Sequence, residues 1–488
     1  MRRAGFALVL LVCVAFALKA LLLLDATSLW KDELYTAVKS FQPSLQDVFA
    51  YLRDDTHPPV YYGLVWCWGQ LLPQTSASLR LFSWMAYAAG GLLMVLQAGA
   101  LAADRDHRRA MALAALLAFC TPFPVRFSIE AKGYSLVVLW IAWMVWERTS
   151  VLDLKPQPKQ RAWRLWLAGT LAGLTHFFGL GVVLALAGWD AIRGRWHLSG
   201  VVGLSCLPGA IWVLWARQHL MKPSTNDWIP PPDWGLLLDT LERCLGDSGP
   251  LLLVILGAVV LSLQIGFGRE TGRRFAEIFA LADRSAVAAG ALFAVLVVAM
   301  SWIRPLAFSR YFIVLVPLVV PWLAVLAAGW KLQSQGSLLA LGCLTLLMVH
   351  FWTASFVGLV PTAKGERREK DDFRSLSLEF SEAGQRLAYG SQAKLLNQSD
   401  QLLLASGRLT QTGAPWMDGK RLLRRDAPRL HRRQPLFLAS TGAKSRRQEM
   451  LSHLRQGVEG QGWRCLPVDT ASKGTEALVC SAVTAVEE

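Results

Sequence analysis

Long apolar runs separated by short polar connectors dominate this chain from Gly5 to Val360. A helix needs about 20 mainly apolar residues to cross the hydrocarbon of a bilayer, so the pattern predicts a polytopic α-helical membrane protein. Full spans fit Gly5 to Leu24, Leu79 to Ala102, Ala110 to Phe123 and Tyr134 to Trp146. A tight pair follows within Leu165 to Trp189, turning near Thr175 and His176, and then Gly200 to Ala216. Leu251 to Gly266, Ala286 to Trp302, Tyr311 to Trp330 and Leu338 to Leu359 complete the set, about 11 spans in all. Tyr61 to Leu72 is too short to cross and reads as a helix at the interface. Arg2 and Arg3 precede the first run as in a secretory signal. That run is long enough to span and no small-x-small site follows it, so it is read as a retained helix.

The pattern changes after Val360. The tail is polar, and its end alternates: Pro435 to Ser440 as a strand, Arg446 to Gln461 as a helix, then Arg464 to Val468 and Ala477 to Val483 as strands. Two domains are expected: a membrane domain over 1–360, with a first external loop over 25–78, and a small soluble α/β domain over 361–488.

Composition agrees, with 53% hydrophobic residues and a positive mean hydropathy of +0.35. The net charge of +15 does not call for nucleic acid. Much of it lies in the connectors Arg148 to Arg164, Arg193 to Arg195, Arg269 to Arg284 and at Lys331, where the positive-inside effect accounts for it. Those connectors and the N-terminus are then cytoplasmic. An odd span count sends the tail to the opposite side despite its basic run KRLLRRDAPRLHRR, since long translocated domains escape that bias. That run reads as a solvated helix face or as a patch for an anionic acceptor or lipid headgroups.

Five of the eight cysteines lie in apolar runs, where Cys acts as a small hydrophobe. Cys465 and Cys480 fall in the last two predicted strands, and in an oxidising compartment they are expected to pair. None of the cysteines has zinc-ligand spacing, and the chain has neither a G-x-x-x-x-G-K-[ST] loop nor an H-E-x-x-H helix. Nucleotide-driven transport and zinc hydrolysis are therefore disfavoured.

Four polar stretches fall on the external face in this topology: Asp32-Glu33, DDTHPPVYY at 54–62, RFSIEAKGY at 126–134 and IRPLAFSRY at 303–311. Singly, each reads as a solvated loop, a turn or a snorkelling cation. Together they supply carboxylates, a His, cations and Tyr at one membrane surface. Such a set suits transfer from a lipid phosphate. A carboxylate takes the proton of an acceptor hydroxyl, cations neutralise the departing phosphate, and aromatic rings line a half-wet pocket. A transporter or flippase for an anionic lipid is the rival class, and would need a mid-bilayer ionisable pair or symmetric broken helices. A non-catalytic scaffold for the tail would leave Asp32 dispensable. Lys19, inside the first run, reads as snorkelling outward.

The order Asp32-Glu33, His57-Pro58-Pro59-Val60-Tyr61-Tyr62, Leu79-Arg80, Glu130-Ala131-Lys132-Gly133-Tyr134 and Ser309-Arg310-Tyr311 resembles that of the GT-C glycosyltransferases. The nearest branch is the bacterial protein-O-mannosyltransferase-like group that includes the lipid A aminoarabinose transferases (glycosyltransferase families 39 and 83). Asp372 to Arg374, after the last span, is similar to what many members carry there. The resemblance implies a GT-C fold in a bacterial inner membrane, a polyprenyl-phosphate sugar donor, a lipid, glycan or protein acceptor, and inverting transfer at the periplasmic face. Asp32 would be the base, Glu33 a supporting acid and Arg310 a phosphate ligand. His57, Tyr61, Tyr62, Glu130, Lys132, Tyr134, His176 and Tyr311 would bind substrate. Lys132 stands where many members have Arg, a point charge in place of a planar fork. His176 also reads simply as a polar residue within a helix bundle. No cofactor is required, although the carboxylate pair is compatible with a divalent cation.

Overall fold

The computed structural model describes residues 3–104, 106–153, 159–220, 229–244, 271–329, 372–422, 430–442, 444–470, 472 and 474–483. The chain divides into two compact units. The first comprises the described parts of Met1–Leu22, Ser44–Leu64 and Leu81–Phe356. The second comprises those of Leu23–Pro43, Val65–Arg80 and Val357–Glu488, so the 25–78 segment is divided, with 25–43 and 65–78 in the same unit as the tail.

In chain order the helices up to residue 153 are α1 Arg3–Leu22, α2 Lys31–Ser40, α3 Leu45–Arg53, α4 Val60–Leu71, α5 Ser76–Leu101, α6 His107–Cys120, α7 Pro122–Ser128 and α8 Tyr134–Asp153. Then come α9 Lys159–Thr175, α10 Phe177–Ile192, α11 Trp196–Leu204, α12 Leu207–Trp215, α13 Arg217–Leu220 and α14 Trp234–Cys244. α15 Thr271–Arg284 and α16 Val287–Ser301 precede a 3-10 turn, Ser309–Leu315, and α17 Val316–Ala328.

Four helices are long and apolar enough to cross a membrane among the described residues, five if a pair bent by 79° is one span. The expected spans Leu251 to Gly266 and Leu338 to Leu359 lie outside the described residues. Local chemistry sets where the others break. The run Ala110 to Phe123 stops at Cys120, because Thr121 is extended and Pro122 opens α7 in its place. The predicted pair turns at His176, which leaves the helical region and caps α10 by accepting the Phe178 N–H at 3.1 Å. The bent pair is α15 and α16, hinged at Ala286, whose φ of 64° is left-handed. That conformation costs a non-glycine residue about 1 kcal/mol.

Two apolar clusters hold the first unit together. One joins α8, α9, α10, α11, α16 and α17 through residues such as Ile141, Ala172, Val183, Val202, Phe293 and Leu318. The other joins α5, α6, α7, α8 and α17 through Tyr87, Ala114, Phe127, Val138 and Ala324.

In the second unit the tail holds α18 Phe373–Glu379, β1 Arg386–Ala388, α19 Ser391–Ala405, β2 Trp416–Asp418, α20 Gly419–Leu422, β3 Leu436–Thr441, α21 Lys444–Glu459, β4 Trp463–Val468 and β5 Thr475–Ala482. The strands form one sheet in the order β2-β1-β3-β5-β4, parallel on the β2-β1-β3 side and antiparallel at β5. The predicted strands and helix of the tail's end appear within two residues of their expected limits. β1, β2, α18 and α19 were not foreseen. Leu387, Leu438, Leu454, Trp463 and Leu478 form the core.

Cys465 and Cys480 face each other in the β4–β5 ladder and form a disulfide. A cross-link closing a loop of that size stabilises by about 3 kcal/mol through the unfolded chain. Cys465→Ala/Cys480→Ala should therefore lower the unfolding midpoint of the tail by several degrees, read by intrinsic fluorescence on the purified full chain; an unchanged midpoint would show that the ladder alone sets its stability.

Candidate active site

Asp32 and Glu33 open α2 in the second unit, and their side chains meet different surroundings. Glu33 is fully buried. Its carboxylate accepts the Arg80 Nε–H at 2.8 Å, the Arg80 Nη2–H at 2.6 Å and the Trp30 backbone N–H at 3.2 Å. The last of these belongs to a capping box that starts the helix. Arg80 is buried as well, and its remaining donors go to backbone carbonyls: Nη1 to Leu24 at 3.0 Å and Thr27 at 2.9 Å, Nη2 to Ser28 at 3.0 Å. All five guanidinium N–H groups are used. Asp32, one residue earlier, is partly exposed, and its carbonyl accepts the Thr36 hydroxyl.

The stretch before α2 is tied a second time. Arg374 donates to the Asp25 carboxylate at 2.6 Å, to the Asp25 and Thr27 carbonyls, and through its backbone N–H to Ser28 Oγ at 3.2 Å. Arg408 reaches the other Asp25 oxygen at 2.5 Å. Asp372 fixes Arg374 in turn, by capping α18 through the Ser375 N–H at 3.1 Å.

The first unit gathers the other candidates around His176. The His176 ring lies 5.8 Å from Tyr134, 5.7 Å from Tyr311 and 5.8 Å from Phe178. His57, Lys132 and Arg310 all lie within electrostatic reach of its imidazole. With Nδ1 occupied by the Phe178 N–H, Nε2 is the nitrogen left for other contacts. The Arg310 guanidinium stacks over Phe308 at 5.1 Å and Tyr311 at 5.5 Å. Lys132 is buried. His57 Nδ1 is held by Asp55 Oδ1 at 2.7 Å and its ring packs on Tyr62. Tyr61 touches Tyr62, and its hydroxyl pairs with Ser83 at 3.1 Å.

His57, Tyr61, Tyr62, Lys132, Tyr134, His176, Arg310 and Tyr311 are thus all found in the first unit. Glu130 enters through the turn that precedes Lys132, where its carbonyl accepts the Lys132 N–H at 2.7 Å. Asp32 and Glu33 belong to the second unit. Asp25, Asp55, Phe178, Phe308 and Arg408 were not singled out from sequence, and Arg374 only as part of the Asp372 to Arg374 resemblance; the acidic DDTHPP stretch was the one local signal for Asp55. Among the described residues no three His, Cys, Asp or Glu side chains come together as a metal site.

No protein-family model matches this sequence, and no curated protein does. Solved structures do. The crystal structure of ArnT from Cupriavidus metallidurans bound to undecaprenyl phosphate superposes with a TM-score of 0.57 at 13% identity, covering 96% of this chain and 97% of that one. Its apo state gives 0.58 at 12% over the same shares. The chain has the GT-C fold. At this identity the likeness concerns the fold, and the expected resemblance to the GT-C branch holds at that level.

The buried Glu33–Arg80 pair generates a stability prediction. Arg80→Met leaves an unpaired buried carboxylate, which typically costs about 3–5 kcal/mol. Arg80→Met should depress the thermal midpoint of the purified protein strongly, and Glu33→Gln/Arg80→Met should recover part of the loss. A double variant as unstable as the sum of the single changes would show that the two side chains act independently.

Proposed function

We propose that the protein is an inner-membrane glycosyltransferase that moves a sugar from a polyprenyl-phosphate donor to a hydroxyl acceptor at the periplasmic face, with inversion. The observation that carries this reading is the gathering of Lys132, Arg310 and His57 about His176, in a chain that shares its fold with a protein crystallised with undecaprenyl phosphate. Cations lodged among Tyr134, Phe178, Phe308 and Tyr311 suit an anion that arrives attached to an apolar tail.

In this mechanism Asp32 accepts the proton of the acceptor hydroxyl as its oxygen attacks the anomeric carbon. The new glycosidic bond forms on the face opposite the phosphate. The bond from that carbon to the phosphate oxygen breaks, and polyprenyl phosphate leaves with both electrons. Arg310 offers a planar fork to the leaving phosphate and Lys132 a compact charge. Glu33, which accepts hydrogen bonds from Arg80 and Trp30, supports Asp32 by fixing the start of α2. The sugar and the acceptor would be identified by mass spectrometry of envelope glycolipids and glycoproteins from a deletion strain beside its parent.

Asp32→Asn keeps the shape of the side chain and removes the base, so transfer measured on that product should fall by about 100-fold or more with an unchanged thermal midpoint. Wild-type turnover would remove Asp32 from the mechanism.

Phosphate recognition is testable without knowing the sugar. Arg310→Lys and Lys132→Met should each weaken binding of undecaprenyl phosphate to the purified protein by about tenfold, the loss of one charge-assisted contact. Undiminished binding in both would place the phosphate elsewhere.

A further inference from the structure

A second charged assembly lies in the first unit, outside the residues assigned to the reaction. It forms where α8, α10 and α15 end. Arg148, fully buried, donates to Asp190 through Nε at 2.9 Å and Nη2 at 2.5 Å. Arg195 bridges Asp190 at 3.0 Å and Asp283 at 2.9 Å, with a further contact from Nη2 to Asp283. Arg193 reaches Asp283 through Nε at 3.5 Å.

Three guanidinium groups therefore share two carboxylates, and the sharing is lopsided. The side chains of Asp190 and Asp283 are 0% and 6% exposed, whereas Arg195 and Arg193 are 24% and 44% exposed. Both carboxylates and the Arg148 guanidinium are inside, and the guanidinium groups of Arg195 and Arg193 face out. The terminal amino groups of Arg193 make no hydrogen bond to the described residues, and the guanidinium is steadied by the Phe279 ring, 5.8 Å away. Arg193 is also the C-cap of α10, where a helix favours a cation.

The surroundings suit a lipid. Ile192 and Trp196, which flank the Arg193-Gly194-Arg195 turn, are 71% and 73% exposed. α15 is amphipathic, exposes Ile278 and Phe279, and bends by 79° from the apolar α16. The left-handed Ala286 builds that bend into the backbone. A short amphipathic helix turned sharply from a span is the form that lies in the headgroup layer.

We infer that this end of the bundle binds the headgroup of an anionic phospholipid, with the open fork of Arg193 on the phosphate and Ile192, Trp196 and Phe279 beside the acyl chains. Charge complementarity selects the occupant: the outward surplus of guanidinium attracts an anionic headgroup, while a zwitterionic one brings its own cation. This site is independent of the proposed transfer chemistry. A guanidinium that merely snorkels would be indifferent to headgroup charge.

The test uses the full-length protein in nanodiscs of phosphatidylcholine, with or without phosphatidylglycerol. Phosphatidylglycerol should raise the thermal midpoint by about 3 °C, and native mass spectrometry should retain it on the protein. Arg193→Gln should abolish both effects while leaving the midpoint in pure phosphatidylcholine unchanged, and Arg193→Lys should keep part of them. Equal midpoints in the two membranes, or full retention by Arg193→Gln, would overturn the site. The same rise from inorganic phosphate added to phosphatidylcholine discs would also overturn it, as a site for free anions.

Discussion

An arginine placed among backbone carbonyls and one carboxylate organises the segment from Leu24 to Glu33. Burying an ion pair costs several kcal/mol per ion, and the arrangement survives only where every donor and lone pair finds a partner. Arg80 meets that condition with two bonds to Glu33 and three to the carbonyls of Leu24, Thr27 and Ser28. Those carbonyls must then turn inward, which fixes the path of the chain into α2. Successive helical residues point about 100° apart, so anchoring Glu33 inside presents Asp32 in another direction. The exposure of Asp32 is thus a consequence of the burial of its neighbour.

The group around His176 is built differently. His57, Lys132 and Arg310 all lie within electrostatic reach of one imidazole, and Lys132 is buried. Aromatic faces supply part of the compensation, as with Arg310 over Phe308 and Tyr311. Arg148 shows the alternative solution, being wholly buried and satisfied by Asp190. Cations gathered among aromatic rings suit an anion carried on an apolar tail, whereas Arg148 is held by a carboxylate and only the outward Arg193 and Arg195 of that assembly face a headgroup.

What the sequence made legible was local and periodic. The apolar runs, the turn at His176, the β3-α21-β4-β5 pattern and the facing cysteines all follow from hydrophobic period and short-range chemistry. β1 and β2 were missed because three residues carry no readable period, and their pairing depends on partners distant in the chain. Arg80 opens a helix at a span and reads as a snorkelling cation until Glu33, 47 positions away, is seen against it. Asp25 with Arg374 is harder still, at a separation of 349. Residues whose meaning lies in a distant partner have no signature in their own neighbourhood.

These long-range contacts also change how the tail is understood. Read by composition, it is a soluble domain following a membrane protein. Arg374 and Arg408 both come from it, and both hold Asp25, seven residues before the proposed base. α2 itself packs against α19 of the tail. The segment that starts α2 is therefore gripped from two sides of the sequence, by Arg80 at the start of α5 and by the arginines of the tail. An appended binding module would need neither grip. A general base needs its position held against thermal motion to a fraction of an ångström, and two independent clamps on one short segment supply that constraint. The tail, with its sheet and its disulfide, belongs on this argument to the scaffold of the proposed base.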